Sequence, residues 1–202
     1  MRLRRLALVA MLLALALPSK AAGSPIGLLA QAVPVAKTYV LGEGLDFVPF
    51  VLSGLGQVFT PVTPIGVVIP VPAPNASSSG CDPSEFLGFP ANTIALLQRG
   101  TCSFNTKVLN AAAAGAAAVL IFNDGANAAR MAPFEVALNA LAPIPAIFTS
   151  FAVGKELFDA SLSQTVLVAL NVTDNTPTPP VPEPATLTLL GLGLGVAVRR
   201  RQ

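Results

Sequence analysis

The stretch from Ile94 to Asp124 constrains the fold of this chain more than any other part of the sequence. Ile94–Gln98 is a short apolar run, and it ends at a turn, Arg99-Gly100, in which the glycine can take a positive φ. A segment with helical spacing follows, and Ala118–Phe122 is a second short apolar run. Two strands joined by one helix over so few residues indicate parallel strands with a right-handed crossover. The stretch therefore predicts an α/β fold.

The helix of this crossover is defined by its ends and by one apolar face. Ser103 is placed to act as the N-cap, and Gly115 suits the C-terminal end. One face carries apolar residues at positions i, i+4 and i+8, namely Phe104, Val108 and Ala112. Lys107 falls on the opposite face, where we expect it to be solvated.

The segments around the crossover predict further short elements. Before residue 94 the chain is apolar and rich in proline, which confines strands to edges or interrupts them. Three strands are expected there: Lys37–Leu41, Phe47–Leu52 and Gly66–Val71. After residue 124 we expect one helical turn at Phe134–Leu138, a strand at Pro143–Phe148, a helix at Phe151–Phe158 capped by Ser150, and a strand at Thr165–Val172. The predicted folded unit covers residues 30–173.

The N-terminus has the pattern of a secretory leader. A basic start, Met1–Arg5, precedes an apolar run, Leu6–Leu17, which is too short to span about 30 Å of hydrocarbon. Small residues allow cleavage between Ala21 and Ala22, or after Gly23. A signal peptide over residues 1–23 is therefore predicted, and a retained membrane anchor is the alternative.

The C-terminus carries a second address-like pattern. A linker rich in proline and threonine, residues 174–181, precedes Pro182, Glu183 and Pro184. An uncharged apolar run, Ala185–Val198, is marginal in length for a bilayer-spanning helix. It is followed by Arg199, Arg200 and Arg201, which the positive-inside rule would place on the cytoplasmic side. The alternative is a buried C-terminal helix of the folded domain.

Cysteine content and charge limit the functions that the chain can have. The two cysteines, Cys81 and Cys102, favour a disulfide in an exported protein. The competing interpretation is a metal pair, although zinc takes four ligands. Between Ala22 and Pro182 there are five basic and nine acidic side chains, a net charge near −4. This balance offers no basic surface for nucleic acid.

The sequence offers little for catalysis. It contains no histidine, so the usual base of serine and cysteine hydrolases and the commonest metal ligand are both missing. A two-carboxylate hydrolase, with Asp124 and Glu135 as an example, is conceivable. Asp124, however, lies in an Asn-Asp-Gly turn, where aspartate has a structural purpose. We expect a protein that is not an enzyme and needs neither cofactor nor metal.

The motifs around the crossover resemble those of the protease-associated (PA) domain. The matching residues are Gly80-Cys81, Ile94–Leu97, Gln98–Phe104, Lys107, Asn110-Ala111, Ala114–Ala116, Val119–Asn123, Ile144–Ala146 and Gly154–Leu157. The resemblance implies a swivelling β/β/α fold, which is a small β-sandwich or open barrel with a β-α-β crossover and short flanking helices.

The resemblance also implies a function. PA domains are thought to be peptide- or protein-binding modules, often joined to proteases that bring their own catalytic residues, and we expect no such catalytic domain here. The turn would border the binding surface through Arg99, Gly100, Thr101 and Ser103. The alternative for Arg99 is that its guanidinium satisfies carbonyl groups of the turn. The runner-up function is an accessory or substrate-gating subunit of a secreted protease.

The C-terminal pattern resembles a PEP-CTERM sorting signal over residues 182–202. This resemblance implies an exosortase-type processing enzyme as a partner and transient membrane insertion through the apolar helix. It also implies export through the inner membrane of a Gram-negative bacterium, to the cell envelope, the outer surface or the extracellular matrix. A secreted peptide, a protein or a matrix component would be the binding partner.

Overall fold

The computed structural model describes residues 25–174, which form eight strands and two α-helices. The strands are β1 Pro25–Val33, β2 Lys37–Thr38, β3 Phe47–Pro49, β4 Gly56–Pro64, β5 Ile94–Gln98, β6 Ala118–Phe122, β7 Ala146–Thr149 and β8 Leu167–Asp174. The helices are α1 Phe104–Ala113 and α2 Phe151–Ser161, and Pro83–Phe86 and Ala128–Arg130 form short 3-10 helices.

The eight strands form one curled sheet in the order β2-β1-β8-β4-β5-β6-β7-β3. Strands β4 to β7 are parallel neighbours, whereas the remaining pairs are antiparallel. The sheet curls into a half-barrel with a few short helices, which confirms the α/β prediction. The β5-α1-β6 unit is the crossover that the sequence predicted, with Leu96 paired to Leu120 across its two strands.

Both helices begin at the serines that the sequence predicted as caps. The Ser103 hydroxyl accepts a hydrogen bond from the Thr106 N–H at 3.1 Å, and the Ser150 hydroxyl accepts one from the Val153 N–H at 3.2 Å. Gly115 lies just past α1 with a φ of +85°. Local capping chemistry therefore fixes both helices, since each hydroxyl satisfies an amide that the helix leaves free.

Strands β5, β6 and β7 are buried on both faces, and this divides the core in two. Leu96 and Leu120 pack on the side of α2, whereas Leu97 and Ile121 pack on the side of α1. Every residue of β5 and β6 is buried. This burial explains why these strands are continuous apolar runs without alternation.

Two expectations for the flanking segments were wrong, and one strand was missed. Gly66–Val71 forms no strand; the Val68 backbone instead bonds the side-chain amide of Gln98. The strand in this region is β4, which ends at Pro64. Phe134–Leu138 forms no helical turn, because Ala137 bridges to Val51 in extended conformation. The sheet also begins at β1, which the sequence did not predict.

Several predicted segments lie outside the described residues. These are the signal peptide with its cleavage at Ala21 and Ala22, most of the linker, and the sorting signal with its apolar helix and arginine tail. Within residues 25–174, no helix is long and apolar enough to cross a membrane.

Candidate functional site

The two cysteines form the disulfide that the sequence favoured. Cys81 Sγ lies 2.09 Å from Cys102 Sγ, and the two Cα atoms are 5.7 Å apart. The bridge ties the loop before the first 3-10 helix to the turn between β5 and α1. The metal-pair alternative is thereby removed, and residues 25–174 contain no cluster of three or more potential metal ligands among His, Cys, Asp and Glu.

Polar residues collect where the parallel strands end. Arg99 follows β5, Asn123 and Asp124 follow β6, and Ser150 follows β7. Open parallel sheets bind ligands at the carboxyl ends of their strands. This edge is therefore the candidate site.

Arg99 is half-buried at the centre of this edge. Its Nη1 donates to Asn123 Oδ1 at 3.2 Å, and its guanidinium carbon lies 5.1 Å from the centre of the Phe134 ring. Asn123 is held in turn, because its Nδ2 donates to the Ala132 carbonyl at 2.7 Å. Burial lowers the pKa of Arg99, and the nearby Arg130 lowers it further. Arg99 forms no ion pair with a carboxylate of residues 25–174.

The other residues predicted for the site differ in exposure and in structural role. The Thr101 side chain is exposed, and its N–H donates to the Ser77 carbonyl at 2.9 Å. Gly100 does not have a positive φ, which corrects the expectation. The reason for glycine is contact, because a Cβ at this position would lie 1.7 Å from the Ser77 oxygen. Ser103 caps α1, so its hydroxyl is already engaged.

Asp124 has the structural role that its turn suggested. Its side chain is fully buried and pairs with Arg130 at 2.6 Å through Nε. It also accepts backbone hydrogen bonds from Asn75 at 3.0 Å and Ala126 at 3.2 Å. Burial acts to raise the pKa of Asp124, but these hydrogen bonds and the Arg130 charge outweigh it, so the pKa lies below its ordinary value. Glu135, the other carboxylate considered, is exposed.

Lys107 is buried, and the expectation that it is solvated was wrong. Its Nζ donates to the Ser79 carbonyl and approaches Cys81 Sγ at 3.4 Å. The disulfide holds the 79–81 loop across this face of α1, so the Lys107 side chain does not reach solvent. Burial lowers the pKa of Lys107 to about 8, against the opposing charge of Glu85.

Sequence reasoning could have found this burial from one signal. Lys107 and Asn110 lie three residues apart on one helical face, in the helix that follows Cys102. Asn110 Nδ2 donates to the carbonyls of Gly80 at 3.1 Å and Cys81 at 3.0 Å. Both side chains therefore bind the backbone that the disulfide brings to them.

Comparison with protein families defines the class of protein. Residues 65–157 match the PA domain model, which lies inside the described fold. Residues 180–201 match the PEP-CTERM protein-sorting motif. The chain therefore contains a PA domain at residues 65–157, and it carries in addition a PEP-CTERM sorting motif. Both predicted resemblances are confirmed.

Curated relatives share only part of their length with this chain. An aminopeptidase of Pseudomonas aeruginosa (strain UCBPP-PA14) is 46% identical over 99 residues, which cover 49% of this chain and 18% of the relative. The E3 ubiquitin-protein ligase RNF130 of Rattus norvegicus is 42% identical over 72 residues, which cover 34% of this chain and 15% of the relative. The chain thus spans less than a fifth of these relatives.

Solved structures share the fold. The zinc aminopeptidase BSAP from Bacillus subtilis matches with a TM-score of 0.56 at 20% identity, covering 77% of this chain and 32% of that structure. The aminopeptidase from Aneurinibacillus sp. strain AM-1 matches with a TM-score of 0.53 at 20% identity, covering 74% of this chain and 33% of that structure. At this identity the likeness concerns the fold alone.

Proposed function

We propose that this protein is an exported, non-catalytic PA-domain protein of the bacterial cell envelope or extracellular matrix, and that it binds a peptide or an extended protein segment. The observation that carries the proposal is the state of Arg99. It is a half-buried cation at the carboxyl ends of parallel strands, and it forms no ion pair with a carboxylate of residues 25–174.

The chemistry of Arg99 fits peptide recognition. A guanidinium carries five N–H donors in a fixed plane, and the hydrogen bond to Asn123 uses one of them. The contact with Phe134 favours a fixed orientation of that plane. The remaining donors suit a backbone carbonyl or a carboxylate of a bound peptide, and partial burial strengthens such bonds.

The available side chains favour binding over catalysis. The sequence contains no histidine, and the Asp124 carboxylate is occupied by Arg130 and backbone amides. We therefore expect no acyl transfer at this edge, because that chemistry needs a free base beside a nucleophile. The prediction is that the purified full chain hydrolyses neither peptides nor glycans; steady turnover that survives repeated purification would contradict it.

The binding role is tested by capture from native matrix. The full chain is immobilised beside its Arg99→Ala variant and a matched Lys155→Ala variant, which removes an exposed cation on α2. We expect wild type and Lys155→Ala to retain the same peptide or matrix component, and Arg99→Ala to lose it. Equal retention by all three proteins, or retention by none, would contradict the proposal.

The sorting motif supports the proposed location. We infer that an exosortase-type enzyme of a Gram-negative bacterium processes the chain after transient insertion of its C-terminal helix. Mass spectrometry of the exported protein should find a start at Ala22 or Ser24 and loss of the chain after Pro182-Glu183-Pro184. Surface protein that keeps Arg199, Arg200 and Arg201 would count against this route.

The second candidate is an accessory or substrate-gating subunit of a secreted protease. The observation that favours it is the 46% identity to a segment of an aminopeptidase. Co-purification with a peptidase whose cleavage preference changes when this chain is added would support it. If the cleavage preference of that peptidase did not change, the matrix role would be favoured instead.

A further inference from the structure

The two sulfurs of the disulfide have different surroundings. Cys81 Sγ lies 3.4 Å from Lys107 Nζ and 3.4 Å from Thr101 Oγ1. Within residues 25–174, no hydrogen bond reaches Cys102 Sγ. A negative charge that developed on Cys81 would therefore be formed against a buried ammonium group.

A second effect favours the other sulfur, but it is weaker. Cys102 precedes Ser103, the N-cap of α1, and the partial positive charge of a helix N-terminus stabilises a thiolate. Cys102 lies outside the helix, and Ser103 already occupies the Thr106 amide. A full charge in contact and shielded from water exceeds this partial charge. Cys81 is consequently the better leaving group.

We propose that the disulfide is a directional modification site, in which a low-molecular-weight thiol attaches to Cys102 while Cys81 leaves as a thiolate held by Lys107. The attacking thiol first loses its proton to solvent. Its sulfur then forms a bond to Cys102 Sγ, and the electron pair of the Cys81–Cys102 bond goes to Cys81 Sγ. The products are one mixed disulfide and one thiolate, so no further oxidant or reductant is needed.

The position of the bridge makes this modification consequential. Cys81 and Cys102 are both half-buried, and Lys107 is fully buried beside Cys81. Once the bridge opens, hydrogen bonds alone hold the loop beside the turn that bears Arg99: the Thr101 N–H donates to Ser77, and the Lys107 and Asn110 side chains donate to carbonyls of residues 79–81. The bridge would react in this way whether or not a peptide binds at Arg99.

The test uses glutathione as the thiol and the full chain as the protein. After brief exposure at pH 7, free thiols are trapped with an alkylating reagent, and peptide mapping measures which cysteine carries glutathione. We expect the adduct on Cys102 to exceed that on Cys81 by about tenfold or more, because exchange expels the more stable thiolate faster. An even distribution, or a majority on Cys81, would overturn the proposal.

Two further measurements isolate Lys107. Lys107→Met removes the ammonium group but keeps an unbranched side chain, so the amounts of the two adducts should differ by less than about threefold. The control Lys155→Met should retain the wild-type ratio of the two adducts. If Lys107→Met does not fold, wild type is mapped at pH 10, where Lys107 is neutral and Glu85 is the other charged group facing its Nζ. A wild-type ratio that persists in Lys107→Met or at pH 10 would refute the role of Lys107.

Discussion

The 75–81 loop is anchored at each of its two ends by buried charged groups. The two anchors differ in whether the buried charge is paired with an opposite charge. At its start, Asn75 is held by the Asp124–Arg130 pair, in which each charge has an opposite partner. At its end, Lys107 Nζ meets, among residues 25–174, only a carbonyl and a sulfur, with the Glu85 charge acting from outside hydrogen-bond contact. The pKa of Asp124 is lowered, which favours its charge, whereas the lowered pKa of Lys107 opposes its charge. Partners, more than burial, decide whether a buried charge stabilises this fold.

The largest expected effect comes from breaking the paired anchor. Asp124→Ala leaves Arg130 without its partner and two backbone amides without an acceptor. Because removal of one member of a buried pair strands the other charge, we expect a loss of about 4 kcal/mol in the free energy of unfolding. Asp159→Ala, in the exposed Lys155–Asp159 pair, is the control and should cost less than about 0.5 kcal/mol. Chemical denaturation measures both, and similar losses would remove the distinction between the two pairs.

The second effect concerns the covalent tie at the other anchor. Replacing Cys81 and Cys102 together by serine opens a link between residues 21 positions apart. In the chain-entropy account this costs about 3 kcal/mol. The same double replacement by alanine serves as a control for the polarity of the new side chains. A loss below about 1 kcal/mol in urea titrations of both variants would mean that Lys107 and Asn110 hold the loop without the bridge.

The sequence predicted one half of this fold far better than the other. The boundaries of β5 and β6 and both helix caps were predictable because they rest on local signals. Strands β1 and β4 were not, because they pair with β8 at the far end of the chain. Proline also argued against β4, yet Pro61 lies at the end of its ladder with β8 and Pro64 is its last residue. At these ends a missing N–H is tolerated.

The sequence motif predicted which residues lie at the candidate site, but it did not predict which residues contact one another there. Arg99 was placed at the turn correctly, yet its partners Asn123 and Phe134 come from distant segments. Gly100 was expected to supply a backbone angle, whereas it allows the Ser77 carbonyl to approach. Lys107 was assigned to solvent because it lies on the helix face opposite the apolar one. Only the loop that folds across α1 reverses that expectation.

A smaller effect appears in the pH dependence of stability. Lys107 has a pKa of about 8 in the folded protein and an ordinary value of 10.5. Between these values the unfolded chain binds the additional proton, so raising the pH favours the folded state. We expect stability to rise by about 2 kcal/mol between pH 8 and pH 10 from this group. Lys107→Met should lack the rise in denaturant titrations at each pH, whereas Lys155→Met should keep it.

Ionisation of Tyr39 sets the upper pH limit of this rise in stability. Its pKa is raised by burial and by the charges of Glu156 and Asp46. Because the unfolded tyrosine loses its proton near pH 10 and the folded one does not, stability falls again above that pH. A profile that declines steadily from pH 8 would contradict the assignment of Lys107 as an uncompensated buried cation.

The smallest effect on stability is expected at Arg99, and it distinguishes the two arginines of the site. Arg130 neutralises a buried carboxylate, whereas Arg99 makes one hydrogen bond to Asn123 and one contact with Phe134. Arg99→Ala should therefore cost about 1 kcal/mol, and Arg130→Ala about 3 kcal/mol, because only the second strands a buried charge. Urea denaturation measures both costs, and Arg99→Lys tests whether a point charge replaces the planar donor group. If Arg99→Ala were as costly as Arg130→Ala, Arg99 would be a structural residue of this edge. A small cost together with lost peptide retention would instead mark it as the residue that the fold keeps available for a partner.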